Sequence, residues 1–346
     1  YYWESASGDD IIGSPRWDTV SGVHYVYVAT TSCKIYRLID STTNHTLTQD
    51  NTSPWDSTNN PYIYPTGCTI TSPLAQDSTN LYWAGTTTVG STPKLWTLSK
   101  TARTLPSGSP LNTTVTSNNT APAIWVSGHT FSFMGLTGEI AKVDITAMSA
   151  ATMNTNPGSG IAVTGRITVI ANTLYAGDDN GFMWSINPAD PNFAGTPKNW
   201  GYHDAGCASN CQVKSHYVDA QYSRVYYGNQ AGKVYVLNSS GSTISASYPY
   251  LVNTSSEAFA TAPLYRGGTI VIGSTNGYLF IINQDTTGAG VPGLKQTYRF
   301  GTTGTSVSGV AWDANSLSYM VSTANATNKD GKLYYVAASD DSDGHL

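Results

Sequence analysis

One pattern recurs along the chain and limits what it can fold into: a short apolar strand, a turn, a strand rich in Tyr and Val, a tight Gly or Asn turn, and another aromatic-rich strand ending in Asn or Asp. The clearest copies run from Leu174 to Asn187, Val225 to Asn238 and Ile270 to Asn283, and they match almost residue for residue. Looser copies are Val26 to Asp40, Leu81 to Ser99, Phe131 to Asp144 and Ser318 to Ala337, making seven. The residues that open the last strand of each copy are Cys33, Pro93, Gly138, Gly181, Gly232, Gly277 and Gly331, at spacings of 60, 45, 43, 51, 45 and 54. Periods of this length are those of a four-stranded repeat unit.

The copies therefore predict an all-β chain. The expected architecture is a seven-bladed β-propeller of four-stranded antiparallel blades forming a single domain over 1–346. The blades are expected at about 11–60, 68–115, 120–156, 162–203, 211–252, 258–301 and 305–338. Small residues and Pro or Gly precede each copy, as in Ser14-Pro15, Ser72-Pro73, Ala121-Pro122 and Ala262-Pro263. They suit inner strands that converge on a central channel. In copies four to six the spacing is Gly-x-x-x-Gly. The first Gly fits a strand end where neighbouring sheets pack closely, and the second supplies the positive φ of a hairpin turn. The last copy is followed only by a short acidic tail, so its fourth strand is missing at that end. Residues 1–7 resemble the other outer strands and are expected to pair with the last blade, closing the ring and removing open edges.

The copies Leu174-Tyr-Ala-Gly-Asp-Asp-Asn-Gly and Val225-Tyr-Tyr-Gly-Asn-Gln-Ala-Gly resemble the repeats of the pyrrolo-quinoline-quinone-like β-propeller superfamily. The resemblance covers essentially all of 11–338, and it marks fold far better than activity. Quinone-dependent dehydrogenases of that superfamily grip their cofactor with a disulfide between adjacent cysteines and hold calcium beside a catalytic Asp. Here no two cysteines are adjacent, the regular Trp-docking pattern is absent, and there are seven copies rather than eight. The resemblance thus points to a non-enzymatic branch. A quinone- or calcium-dependent or sugar-processing enzyme is the alternative.

Composition narrows the partners. Only 11% of residues are charged, 17 Lys or Arg against 22 Asp or Glu, where about 25% is usual for a soluble domain. The net charge of −5 and the scattered cations give a phosphate backbone little to hold, so nucleic acid is not an expected partner. No apolar run approaches a membrane span, and no basic-then-apolar leader stands at Tyr1, so the chain reads as a mature or trimmed product. A protein partner or self-assembly is expected, with glycan contact a further candidate. Link segments Thr46 to Gly67 and Thr101 to Thr120 are read as the longest loops and the candidate contact surface.

The four cysteines are expected to pair as Cys33–Cys68 and Cys207–Cys211, stapling loops on one face. The pairs imply an oxidising location: extracellular, cell-surface or periplasmic. The rival reading of the second pair is a zinc site made with His203 and His216, although the spacing is not a familiar zinc pattern. Asp178 and Asp179 form the most acidic repeat turn, and Asp341 and Asp343 form half of a calcium loop; these four are weak metal candidates, and calcium is the cofactor left open. The bland reading of the first pair is an Asx turn capped by its own carboxylate, and of the second a solvated tail. Asn-x-Ser/Thr sequons at Asn44, Asn51, Asn112, Asn118, Asn238, Asn253 and Asn325 are glycosylation candidates. No catalytic residue is assigned.

Overall fold

The computed structural model describes residues 16–30, 32–41, 46–55, 61–63, 68–70, 72, 74–87, 93–105, 109, 111–112, 123–127, 129–136, 139–147, 152–155, 163, 165–189, 198–207, 211–252, 257–259, 261–284, 292–301, 304–313, 318–325 and 330–337. Among them every regular element is a β-strand, and the strands fall into seven antiparallel sheets. Contacts divide the chain into two compact units, Tyr1–Val169 with Ala189–Pro197, and Ile170–Pro188 with Lys198–Leu346.

In the first unit, sheet one is Arg16–Val20, Val23–Ala29, Lys34–Ser41 and Thr46–Gln49, with Tyr62–Ile63 also beside Lys34–Ser41. Sheet two runs from Cys68–Ile70 and Ala75–Gln76, both beside Asn80–Thr87, to Pro93–Ser99 and Leu111–Asn112. Sheet three is Ala123–Ser127, His129–Leu136, Glu139–Asp144 and Thr152–Thr155. The boundary falls within Ile167–Ile170, which leads into sheet four of Thr173–Gly177, Phe182–Ile186 and Lys198–His203. Sheet five is Ser215–Asp219, Arg224–Gly228, Lys233–Leu237 and Tyr250–Leu251; sheet six is Leu264–Arg266, Thr269–Gly273, Tyr278–Asn283 and Gly293–Arg299. Sheet seven has three strands, Thr305–Asp313, Ser318–Asn325 and Asp330–Ala337.

Each of the seven third strands begins on, or within one residue of, the residue the repeat singles out, as at Lys34, Pro93, Phe182, Lys233 and Tyr278. Phe182–Ile186, Lys233–Leu237 and Tyr278–Asn283 are buried along nearly their whole length rather than on alternate residues, because both faces lie against neighbours. In the second unit Met183 of sheet four packs with Val213, Val225, Tyr227, Tyr235 and Leu237. Tyr226, Val234 and Val236 pack in turn with Phe259 and with Ile270, Ile272 and Phe280 of sheet six. At about 1.5–3 kcal/mol per buried apolar side chain, such layers dominate the stability of the stack.

The Gly-x-x-x-Gly spacing works as a lock between successive sheets. A β-carbon on Gly177 would stand 2.6 Å from Val213 Cγ1, and one on Gly228 would stand 2.8 Å from Phe259 Cβ. The second glycines, Gly181 and Gly232, have φ of +90° and +77°, as the hairpin requires. The residue after each first glycine ties the turn together. Asp178 Oδ1 accepts from the amides of Asn180 and Phe182, Asn229 Oδ1 from Ala231 and Lys233, and Ser274 Oγ from Asn276 and Tyr278. The carbonyls of the same three residues accept from the amides of Val213, Phe259 and Val307.

In the first unit a buried ion pair holds sheet one. Arg37 Nε donates to Asp50 Oδ2 at 2.6 Å, and Asp50 Oδ1 accepts from the Thr52 amide and hydroxyl. The Arg37 guanidinium lies over the rings of Tyr25 and Trp55, and Trp55 Nε1 donates to the Lys100 carbonyl at 2.8 Å.

Three expectations are corrected. The segments read as loops, Thr46 to Gly67 and Thr101 to Thr120, contain strand: Thr46–Gln49, Tyr62–Ile63 and Leu111–Asn112. Their polar composition hid short outer strands, which need few apolar residues. Ser14-Pro15, Ala121-Pro122 and Ala262-Pro263 stand just ahead of the first strands of their sheets while Ser72-Pro73 follows Cys68–Ile70, and the first strands themselves carry large aromatics, Trp17, Trp125, Tyr217, Tyr265 and Trp312. Cys68 opens the first strand of sheet two rather than lying in a free link. Residues 1–7 lie outside the described residues.

Candidate functional site

The link between sheets four and five carries the second cysteine pair, with His203 and His216 on the strands that flank it. Cys207 is bonded to Cys211, with Cα atoms 5.9 Å apart, so neither thiolate is left for zinc. His203 stacks on Phe182 with ring centroids 4.4 Å apart, while His216 is buried on Ser215–Asp219. In the first unit Cys33 is bonded to Cys68, Cα atoms 5.4 Å apart. Beside Cys207, Asp204 accepts from Lys233 Nζ at 2.7 Å, from the Tyr235 hydroxyl at 3.0 Å and from the Gly206 amide at 2.9 Å. Burial alone would raise the Asp204 pKa; these hydrogen bonds and the Lys233 charge outweigh it and hold the carboxyl below its usual value.

Asp178 and Asp179 do not converge on a common point. Asp178 is fully buried, and its second oxygen accepts from Trp184 Nε1 at 2.9 Å, so both oxygens serve the turn. Burial raises its pKa by more than these hydrogen bonds lower it. Asp179 pairs with Lys214 at 2.6 Å. The acidic turn is thus an Asx turn. Asp341 and Asp343 lie outside the described residues, as do Asn44, Asn118 and Asn253. Among the described residues no group of three or more His, Cys, Asp or Glu side chains is gathered as a metal site. Asn51 is exposed, and half-buried Asn238 accepts from the Ser240 hydroxyl of its own sequon at 2.7 Å. Asn112 lies on the fourth strand of sheet two, and Asn325 ends the second strand of sheet seven.

The feature that sequence reasoning missed is a cleft of about 670 Å³ between the first hairpins of sheets five and six. Tyr217, Tyr222, Tyr265, Asp219, Gln221 and Arg266 line it. Tyr265 stacks on Tyr226 at 4.7 Å, and the Arg266 guanidinium rests on Trp312 at 3.9 Å, so both are held by the sheets behind them. Asp219 Oδ1 accepts from the amides of Gln221 and Tyr222 and fixes the first hairpin turn, leaving Tyr222 55% exposed. Burial, then the charges of Asp219 and the Tyr265 hydroxyl, raise the Tyr217 pKa. Flat aromatic faces beside a carboxylate, an amide and a guanidinium suit a ligand that is apolar on one side and hydrogen-bonding at its rim. The signal in the sequence was an aromatic at matching positions, His216-Tyr217 and Leu264-Tyr265, where small inner-strand residues were expected.

Solved structures share this arrangement of strands. BamB from Moraxella catarrhalis is 15% identical, covers 96% of this chain and 84% of its own, and superposes with a TM-score of 0.58. Sqt1 from Saccharomyces cerevisiae is 10% identical, with 90% and 81% covered and a TM-score of 0.62. A chain of the Mitotic Checkpoint Complex is 12% identical, with 91% and 87% covered and a TM-score of 0.57. The chain has the β-propeller fold. No family model and no curated protein matches the propeller in sequence. Identities this low carry the fold of the propeller and leave its activity to its own residues. No helix among the propeller's described residues is long and apolar enough to cross a membrane.

Proposed function

We propose that the chain is a single seven-bladed propeller of the non-enzymatic, pyrrolo-quinoline-quinone-like type, its ring closed by residues 1–7. We place its work outside the cytoplasm, as a structural, adhesive or assembly scaffold that binds a protein partner or copies of itself. Two disulfides support the oxidising location. The seven sheets, each with its third strand at the repeat position, support seven blades. Among the described residues the last sheet has three strands, which supports a fourth, closing strand from elsewhere in the chain.

The observation that carries the scaffold reading is on the outer strands. Leu251 on Tyr250–Leu251 and Leu294 on Gly293–Arg299 are 48% and 41% exposed, and the Leu294 amide donates to the Tyr250 hydroxyl at 3.0 Å. Two fourth strands of successive sheets thus present apolar side chains next to each other in a chain with little charge to keep copies apart. The tyrosine-lined cleft offers a second contact surface, with peptide or glycan chemistry. One neighbour is, by its name, part of an assembly.

Sedimentation in native buffer over rising concentration tests this. The expected result is concentration-dependent association that Leu251→Lys with Leu294→Lys prevents; a monomer throughout overturns self-assembly. Stoichiometric calcium or a coloured cofactor in protein purified from its source would favour the enzyme instead.

A further inference from the structure

The seven arginines are scattered singly, and nothing in their spacing brings any two together. In the first unit two of them share a cavity of about 260 Å³: Arg16, at the start of Arg16–Val20, and Arg166, just before Ile167–Ile170. Ala123 and Ile124 supply apolar wall, and Gln76 and Thr168 add polar side chains. The cavity lining contains no carboxylate, and among the described residues neither guanidinium is ion-paired. Arg16 Nε donates to the Leu74 carbonyl, which anchors the side chain without neutralising it. Burial and then the charge of Arg166 lower the Arg16 pKa, so the two cations oppose each other.

The polar groups around them are incompletely used. Gln76 Nε2 donates to the Trp17 carbonyl at 2.7 Å, which fixes the amide and leaves its Oε1 enclosed without a hydrogen-bond partner. Thr168 Oγ1 is likewise enclosed and unpartnered. Buried polar atoms without partners are costly, and so are facing like charges. A bound ligand that meets all of them removes both costs. Two guanidiniums and a hydroxyl ask for an oxyanion, which Arg binds through paired N–H groups. The Gln76 oxygen asks for a donor, which a bare anion lacks and a hydroxyl beside a carboxylate provides. The volume lies below the usual range of roughly 300–1,000 Å³ for ligand pockets, so the ligand is small.

We propose that Arg16, Arg166, Gln76 and Thr168 form a binding site for a small hydroxy-carboxylate, its carboxylate spanning the two guanidiniums and its hydroxyl donating to Gln76 Oε1. A free hydroxy acid and the uronic acid end of a glycan share this chemistry.

Calorimetric titration with lactate, propionate, glucuronate and glucose tests it. Lactate or glucuronate is expected to bind saturably, and whichever binds tighter identifies the source. Propionate, which lacks the hydroxyl, is expected to bind several-fold more weakly than lactate, and glucose not at all. Arg166→Gln is expected to weaken acid binding at least tenfold while melting no lower than the parent, because it relieves repulsion. Gln76→Leu keeps both charges and is expected to erase the preference for lactate over propionate. Absence of saturable binding by both hydroxy acids, equal binding of glucose, or unchanged affinity in Arg166→Gln overturns the site. Equal binding of lactate and propionate by the unaltered protein overturns the hydroxy-acid assignment. These residues are distinct from Leu251 and Leu294, so failure here and failure of the scaffold reading are separate results.

Discussion

The amide of Val213 donates to the carbonyl of Asp178 at 3.0 Å, and the Val213 side chain occupies the space where a β-carbon on Gly177 would stand. The same relationship links Asn229 to Phe259 beside Gly228, and Ser274 to Val307 beside Gly273. The glycine lets the next sheet approach closely enough for its amide to reach back into the turn.

Gly177→Ala is therefore expected to destabilise the protein by about 1–3 kcal/mol, because the added methyl meets backbone as well as side chain. Gly22→Ala is the contrast: no atom lies within 4 Å, and the cost comes only from its positive φ, about 1 kcal/mol. Urea unfolding midpoints of the two variants check the order. Equal losses would mean that close approach between sheets is not what Gly177 provides.

Reduction is expected to affect the two disulfides unequally. Cys33 and Cys68 close a loop of 35 residues and Cys207 and Cys211 one of 4. Chain entropy then assigns about 4 kcal/mol to the first and about 2 kcal/mol to the second. Melting temperatures of Cys33→Ala with Cys68→Ala, and of Cys207→Ala with Cys211→Ala, should show the larger loss in the first pair. Intact mass before and after reduction should rise by four hydrogens.

Asp204 gives stability a pH dependence. Its folded pKa is depressed, so its contribution is complete above the unfolded value of about 3.9 and disappears as pH falls through the lower folded value. Asp204→Asn is expected to be less stable than the parent by about 1–2 kcal/mol at pH 6, with the gap closing below about pH 4. Denaturant titrations at several pH values measure it; a gap that stays constant down to pH 2 refutes the assignment.

Asp50 is the buried partner of Arg37. Its replacement by Ala leaves the guanidinium held over Tyr25 and Trp55 without its carboxylate, and a loss of about 3–5 kcal/mol is expected. Replacement by Asn, which keeps an acceptor, should cost less. Chemical unfolding of both variants at neutral pH decides it.

Much of the strand framework was legible in the sequence, because its signals are local. The aromatic third strands, the glycine pairs of the hairpins and the Asx turn at Asp178 depend on residues within a few positions of one another. The outer strands Thr46–Gln49 and Leu111–Asn112 read as loop in the sequence, since a short outer strand asks for little apolar sequence. The cleft at Tyr217 and Tyr265 was not legible, because its walls come from hairpins of successive sheets.

The repeat by itself determined the all-β class, the starts of the third strands and the pairing of each glycine with its turn, since backbone conformation and burial periodicity act over a few residues. Tertiary structure decided which distant side chains meet: Arg37 with Asp50 and Trp55, Tyr265 with Tyr226, Arg16 with Arg166. Those meetings depend on how sheets stack. Stacking is set by the summed packing of whole faces, so no single motif in the chain records it.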